Sequence, residues 1–422
     1  ERSHAGHDRP FCADGTVGDG YPDGRPMKLK EVRVVDVALP RVASRTPARR
    51  PSWNDTTVRG LPMSKYPEFV NTPARSPGVG TSVGGGTVWV QAIAEDGTWG
   101  IGRVGVGLPV ASLVRHHFAP LLEGRDCFAT EFLNDLMWRS SLRHGAQGLN
   151  AVAMSGIDLA LWDLKGKLLG QPVWRLLGGP SRDRIPCYVT GDDLDWFQEL
   201  GFRAFKISNP VHYEQGIEGI NIVEEKIARA RETVGRGVEL MYNPVMPFDV
   251  EFTIRLAERL RPYELRWLEE PLPPDDLEGY AQIARAVTWI PIATGEDHHT
   301  RWAFRPLIER RCVSVVQPDL HWCGGLTEAV RIYHLAEAAG IKTILHTGAN
   351  VAEGQHFSYA FPEVPMAEYH CSSPVGVPLD ETPRIPGVPV PKDGYVIPSD
   401  APGFGYEIDP SWITPWRPES AW

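Results

Sequence analysis

Asn243, Glu269, Glu296, Asp319 and His346 recur along the chain at steps of 26, 27, 23 and 27 residues, the span of one β/α unit each. Each follows a short, largely apolar run, from Val238–Tyr242 through Ile341–Leu345. In a barrel of parallel strands the carboxyl ends open onto one face, so these five side chains would converge there. Two carboxylates and an amide oxygen make a ligand set for a hard divalent cation. An aspartate and a histidine on the following strands suit proton transfer beside it. The first member is an amide, which lowers the ligand charge and with it the expected cation affinity.

The elements that must position these residues form a strand–helix alternation from Ile185 to about residue 370. Strands are expected near 185–190, 203–207, 237–242, 265–268, 291–294, 313–317, 341–345 and 366–370, with amphipathic helical segments such as Thr253–Leu260 and Thr327–Ala339 between them. Eight such units predict an α/β fold, a modified (β/α)8 TIM-type barrel over residues 181–372. Residues 27–180 read as an α+β capping domain. It contains the Val-rich run Lys28–Leu39 and a hairpin of Thr87–Glu95 and Thr98–Val104 about Asp96-Gly97. A helix from Ala151 to Leu169 carries Ile157, Leu161, Leu164 and Leu168 on one face and stops at Gly170 and Pro172. Residues 40–86 are a long irregular stretch of the kind that serves as a functional lid. Residues 1–26 read as an irregular arm, and the Pro-rich segment 373–422 as an extended tail packing back on the cap.

A chain of 422 residues with 42% hydrophobic and 23% charged residues has ample core for a soluble globular protein. Its net charge of −10 argues against nucleic acid as a main partner, yet allows a small anionic substrate. The longest apolar stretches are strand-length, so neither a membrane span nor a secretory leader is expected. The six cysteines form no CxxC or zinc-type spacing and suit reduced thiols in a cytoplasmic protein.

Several stretches carry a joint signal beyond these spacings. In the cap region they are Ile157-Asp158-Leu159-Ala160-Leu161-Trp162-Asp163-Leu164-Lys165-Gly166-Lys167 and Leu176-Leu177-Gly178-Gly179. In the barrel they are Trp267-Leu268-Glu269-Glu270-Pro271, Gly295-Glu296-Asp297-His298-His299, Gln317-Pro318-Asp319, Trp322-Cys323-Gly324-Gly325-Leu326 and Leu345-His346. Together these stretches make the chain resemble the enolase superfamily, in its mandelate racemase-like branch, and Pro62-Met63-Ser64-Lys65-Tyr66 and Pro402-Gly403-Phe404-Gly405 resemble the L-rhamnonate dehydratases within that branch.

The resemblance implies a (β/α)7β barrel under an α+β cap, and one Mg²⁺ that holds a substrate carboxylate. It implies abstraction of the proton α to that carboxylate, giving an enediolate, and loss of the β-hydroxyl to leave a 2-keto-3-deoxy sugar acid. It further implies metal ligation by Asn243, Glu269 and Glu296, with Asn243 standing where the family usually has Asp. By the same resemblance His346 is the catalytic base, Asp319 its partner, and Glu368 a protonated hydrogen-bond donor to an enediolate oxygen. Lys206 and Arg75 would contact the substrate, and of His298 and His299, which closely follow an expected metal ligand, one is expected to reach that ligand or to contact a substrate hydroxyl, with His298 the candidate. Ser208 occupies the place of the second lysine of the racemases, which favours a one-histidine dehydratase. Ser52 stands where the dehydratases carry a substrate-contacting histidine. A hydroxy-acid racemase or epimerase remains an alternative, as does a catalytically silent relative on account of Asn243. The expected partners are a small acid sugar and further copies of the chain, without nucleic acid or membrane.

Overall fold

The computed structural model describes residues 26–70 and 86–416, so Arg75 and nearly all of the N-terminal arm lie outside the described residues. In the cap, β1 (Leu29–Val37) pairs antiparallel with β2 (Val88–Ala94), which turns at Asp96-Gly97 into β3 (Trp99–Val104). Helix α1 (Leu149–Leu168) lies across this hairpin. Its backbone comes so close to β3 that a Cβ at Gly100 would collide with the Ala160 carbonyl, and one at Gly102 with the Gly156 carbonyl. Glycine is therefore required at both positions by the helix–sheet spacing.

The alternation beyond residue 184 becomes eight parallel strands: β4 (Ile185–Thr190), β5 (Ala204–Ser208), β6 (Glu239–Asn243), β7 (Leu268–Glu269), β8 (Ile292–Thr294), β9 (Val315–Val316), β10 (Lys342–Thr343) and β11 (Ala367–His370). They form a curled sheet in the order β10-β9-β8-β7-β6-β5-β4-β11. The ends of the curl are joined through the loop after β10. Ala349 N donates to the Glu368 carbonyl at 2.7 Å, and Asn350 exchanges two hydrogen bonds with the His370 backbone at 3.0 and 2.7 Å. A helix follows each of the first seven strands, among them Gly216–Val234, Val250–Leu260 and Leu326–Ala338, so the barrel is of the (β/α)7β kind.

Along a strand, residues two apart share a face. Tyr188, Ala204, Met241, Trp267, Ala293, Val315 and Ile344, with Met366 against them, form an apolar plug inside the barrel. Two positions further along stand Thr190, Lys206, Asn243, Glu269, Gly295, Gln317, His346 and Glu368. The barrel interior thus changes from hydrocarbon to a largely polar, charged layer within one strand period.

The tail closes on both domains. β12 (Tyr395–Val396) pairs with β4, and β13 (Ile413–Pro415) adds to the free edge of β1. Asp163 of α1 ties three segments together: its carboxylate accepts the N–H of Ile101 at 2.9 Å, that of Phe404 at 2.9 Å, and the Lys167 amine at 2.7 Å. Asp158, one turn earlier, accepts the N–H of Thr327 at the start of a barrel helix at 2.9 Å. Trp162 Nε1 donates to Thr327 Oγ1 at 2.8 Å. The five cysteines among the described residues are all free and buried. No helix among them is long and apolar enough to cross a membrane.

Gly100→Ala should lower stability by about 1–3 kcal/mol, because the new methyl meets backbone that cannot rotate away. A Cβ at Gly105 meets nothing within 4 Å, so Gly105→Ala is the control. Equal urea midpoints for the two variants would disprove the close approach.

Candidate active site

At the mouth of the barrel, His346 Nδ1 lies 2.6 Å from Asp319 Oδ2, while Asp319 Oδ1 accepts the His321 N–H at 2.6 Å. The second bond fixes the carboxylate, and the carboxylate fixes the imidazole with Nε2 directed elsewhere. Nε2 is 3.7 Å from Glu296 Oε1. Burial alone would lower the His346 pKa, but Glu296 and Asp319 outweigh it and raise it to about 10. The ring of Trp322 lies 5.2 Å from that of His346 and walls one side.

Lys206 is 1% exposed and lies between two carboxylates: it pairs with Glu269 Oε1 and, at 2.8 Å, with Glu368 Oε1. Burial opposes its charge, yet the two glutamates hold its pKa well above the ordinary lysine value. Glu368 also accepts from Thr190 Oγ1 at 2.5 Å and from the Thr347 N–H at 2.8 Å. Burial would raise its pKa, but Lys206 and His346 bring it down to about 2. In this arrangement Glu368 is ionised. It anchors Lys206 as an acceptor, where the sequence suggested a protonated donor.

The three metal ligands expected from sequence differ in surroundings. Glu269 uses all its acceptor positions within the protein: Oε1 receives Lys206 and Asn243 Nδ2 (2.7 Å), and Oε2 receives Trp267 Nε1 and Gln317 Nε2, both at 2.8 Å. Asn243 Oδ1 accepts the Val245 N–H at 2.8 Å. Glu296, by contrast, joins Glu270 and Asp297 in a group whose ligating atoms lie within 4.8 Å of one another. Burial first, then the neighbouring carboxylates, raise the pKa of all three, that of Glu296 to about 8. Both oxygens of Glu270 are buried without a hydrogen-bond partner. Three converging oxygen donors with unused lone pairs fit a hard divalent cation.

Ser208 does not present a base. Its hydroxyl donates to Asp192 Oδ2 at 2.6 Å, and the Lys226 amine donates to it at 3.0 Å and to its carbonyl at 2.7 Å. Ser52 is fully buried and caps the short helix Trp53–Thr56 by accepting the Asn54 N–H at 3.3 Å. His298 is buried against Phe304 and held neutral, with a pKa near 4 set by burial. His299 is the one of the pair that feels the charge of Asp319.

Glu270, Asp297, Trp267 and Gln317 were missed as members of the site. All four stand inside the motifs that placed the others. The two-residue strand period identifies Gln317 as inward-facing and Trp267 as its neighbour one layer below. Nothing in the sequence shows that Glu270 turns to Glu296, because that depends on its left-handed backbone (φ 45°).

Residues 193–412 match the family described as enolase C-terminal domain-like, and residues 70–178 match the N-terminal domain of the mandelate racemase / muconate lactonizing enzyme family. The chain is 37% identical over 388 residues to an L-rhamnonate dehydratase of Saccharopolyspora erythraea, spanning 91% of this chain and 97% of that one. A rhamnonate dehydratase of Gibberella zeae, crystallised with Mg, shares the fold with a TM-score of 0.82 and 33% identity over 92% of this chain and 96% of that one. A racemase of Streptomyces coelicolor A3(2) with bound magnesium is similar with a TM-score of 0.66 and 29% identity, over 76% of this chain and 93% of that one.

Replacing Lys206 by Met leaves two buried carboxylates without their cation, and at neutral pH should cost about 3–5 kcal/mol. A depressed carboxylate pKa stabilises the fold above its unfolded value, near 4.3, and that contribution is lost as pH falls toward the folded value. The penalty of Lys206→Met should therefore shrink between pH 5 and pH 3 in denaturant titrations. A loss independent of pH would contradict the charge assignment.

Proposed function

The chain belongs to the enolase superfamily, in the branch of mandelate racemase and muconate lactonizing enzyme, and on that premise we propose that it is a Mg²⁺-dependent dehydratase of acid sugars, a hydro-lyase of the L-rhamnonate dehydratase kind. The observation that carries the chemistry is the His346–Asp319 pair, held at 2.6 Å at the barrel mouth. Donation from Nδ1 to the carboxylate leaves Nε2 as the atom that exchanges a proton.

For a 2,3-dihydroxy acid the balance is simple. Nε2 takes the C2 proton, the electron pair of that bond forms the C2–C3 double bond, and the C3–O bond breaks. The proton on Nε2 passes to the departing hydroxyl, which leaves as water. The enol then tautomerises to the 2-keto-3-deoxy acid. Glu296, common to the expected set with Asn243 and Glu269 and to the carboxylate group with Glu270 and Asp297, would hold Mg²⁺, which would supply positive charge to the substrate carboxylate as negative charge develops on it. With its carboxylate so engaged, Glu296 would hold His346 less strongly protonated, toward the range of a working base. Lys206 contributes a second fixed positive charge inside the barrel.

A racemase of two opposed bases is less well supported. Ser208 stands in the place of the second base, and its hydroxyl is engaged by Asp192 and Lys226. One histidine suffices for elimination with both groups leaving from the same side. The cap residue Ser52, turned into its own helix, supports a substrate whose terminal hydroxyls are read by other side chains.

The test is a semicarbazide screen for keto-acid product from L-rhamnonate, L-lyxonate and L-mannonate with Mg²⁺. His346→Asn should reduce turnover of the best substrate by about 10²–10⁴-fold, the usual weight of a general acid–base group. Undiminished activity in that variant would remove His346 from the mechanism. Exchange of the C2 proton with deuterium, without keto acid, would instead favour an epimerase.

A further inference from the structure

We propose that His370 reads a sugar hydroxyl beyond C3, donating a hydrogen bond from Nε2 to that hydroxyl's oxygen. The inference rests on the proposed function for one thing, that an acid sugar occupies the site.

His370 is the last residue of β11 and stands two positions after Glu368, so the two side chains share the inward face of the strand. One strand period is about 7 Å, which sets the ring one layer nearer the opening than the carboxylate that anchors Lys206. Glu368, His346 and Lys206 all act on its charge, so the ring borders the space in which the proton is moved. Asn350 holds the His370 backbone from both sides, accepting its N–H at 2.7 Å and donating to its carbonyl at 3.0 Å. The indole of Trp53 lies 5.4 Å from the imidazole and is itself fixed by Nε1 donating to the Cys371 carbonyl at 2.7 Å. Ser52, beside it, is turned to the Asn54 N–H, so this part of the cap backs the histidine and leaves the contact with sugar to the barrel strand.

The hydrogen bonds behind the ring decide which nitrogen carries the proton. A guanidinium can only donate, and Arg59 Nη2 donates to Asn54 Oδ1 at 2.6 Å. The amide is thereby oriented with Nδ2 toward Ser372 Oγ, to which it donates at 3.2 Å. The serine oxygen, accepting from Asn54, turns its own proton to His370 Nδ1 at 3.3 Å. Nδ1 is then the acceptor, and Nε2 carries the hydrogen. Burial, with the Arg59 charge added to it, lowers the His370 pKa to about 4, so the ring is neutral at pH 7 and keeps that tautomer. No group among the described residues hydrogen-bonds to Nε2, and the residue is only half-buried. A donor oriented by three side chains behind it, with its hydrogen unused in front, suits the oxygen of a hydroxyl.

The binding test uses the whole chain carrying His346→Asn, which keeps the site without turnover. It is titrated calorimetrically with L-rhamnonate, L-lyxonate and L-mannonate in the presence of Mg²⁺. Adding His370→Asn, whose amide reaches only to the place of Nδ1, should weaken the tightest of these by about 3- to 10-fold, the weight of one neutral hydrogen bond. Adding His370→Gln instead, whose amide nitrogen stands near the place of Nε2, should hold binding within about 2-fold of the parent. Equal affinity in His370→Asn and the parent overturns the proposal, as does an equal loss in both substitutions. Failure of all three sugars to bind the parent also overturns it. Binding that His370→Asn weakens, without keto acid from the unsubstituted chain, removes the dehydratase reading and supports this one. A second measurement needs no sugar: nitrogen NMR of the histidine-labelled chain should lose, on His370→Gln, a pair of ring signals with the proton on Nε2. A lost pair with the proton on Nδ1 overturns the tautomer and the proposal with it.

Discussion

A single ammonium group, that of Lys206, organises the polar half of the barrel. It sits directly above a plug of Trp267, Tyr188, Met241 and Ile344, where an unpaired charge would not survive. Its two carboxylate partners come from β7 and β11, each two places from β5 in the sheet order, one on either side. The ion pairs therefore tie together the arc of wall from β7 to β11, and every further bond to Glu269 or Glu368 inherits its geometry from them. Trp267, Gln317 and Asn243 orient on Glu269, and Thr190 and Thr347 orient on Glu368. The loop carrying His346 is placed through that last contact. A site whose chemistry is done by His346 thus owes its shape to a lysine on a different strand.

Much of this was legible in the chain because a parallel barrel imposes two strict periods. The β/α repeat brought Asn243, Glu269, Glu296, Asp319 and His346 to one face, and the eight strands appear where apolar runs placed them. The dyad of Asp319 and His346 was equally readable, since both residues end adjacent strands. What escaped reading depends on backbone turns just past the strands. There Glu270 and Thr347 adopt left-handed conformations, and side-chain direction no longer follows alternation. Glu368 illustrates a second limit. Its charge state is set by Lys206, whose distance from it no sequence spacing reveals.

The cap was readable in its hairpin and in α1, but the reason for its long motif was not. Asp158 and Asp163 look on paper like two polar residues interrupting an apolar helix. Both are buried and both accept backbone N–H groups from other parts of the molecule. The exact role of the Gly403 turn is likewise spatial. Its φ of 73° places the following N–H on Asp163, and any side chain there would strike the same carboxylate.

These attachments of α1 carry a consequence for how such a molecule can vary. The hairpin, the barrel helix from Leu326 and the tail all terminate on one helix, so the cap cannot swing as a rigid door. The stretch around Trp53 and Arg59, where the guanidinium lies over the indole beside His370, is not among the segments that α1 holds. Changes of substrate preference can then accumulate in those outer turns while the frame beneath them stays constant. Stability and selectivity are inherited, in this architecture, through separate stretches of sequence.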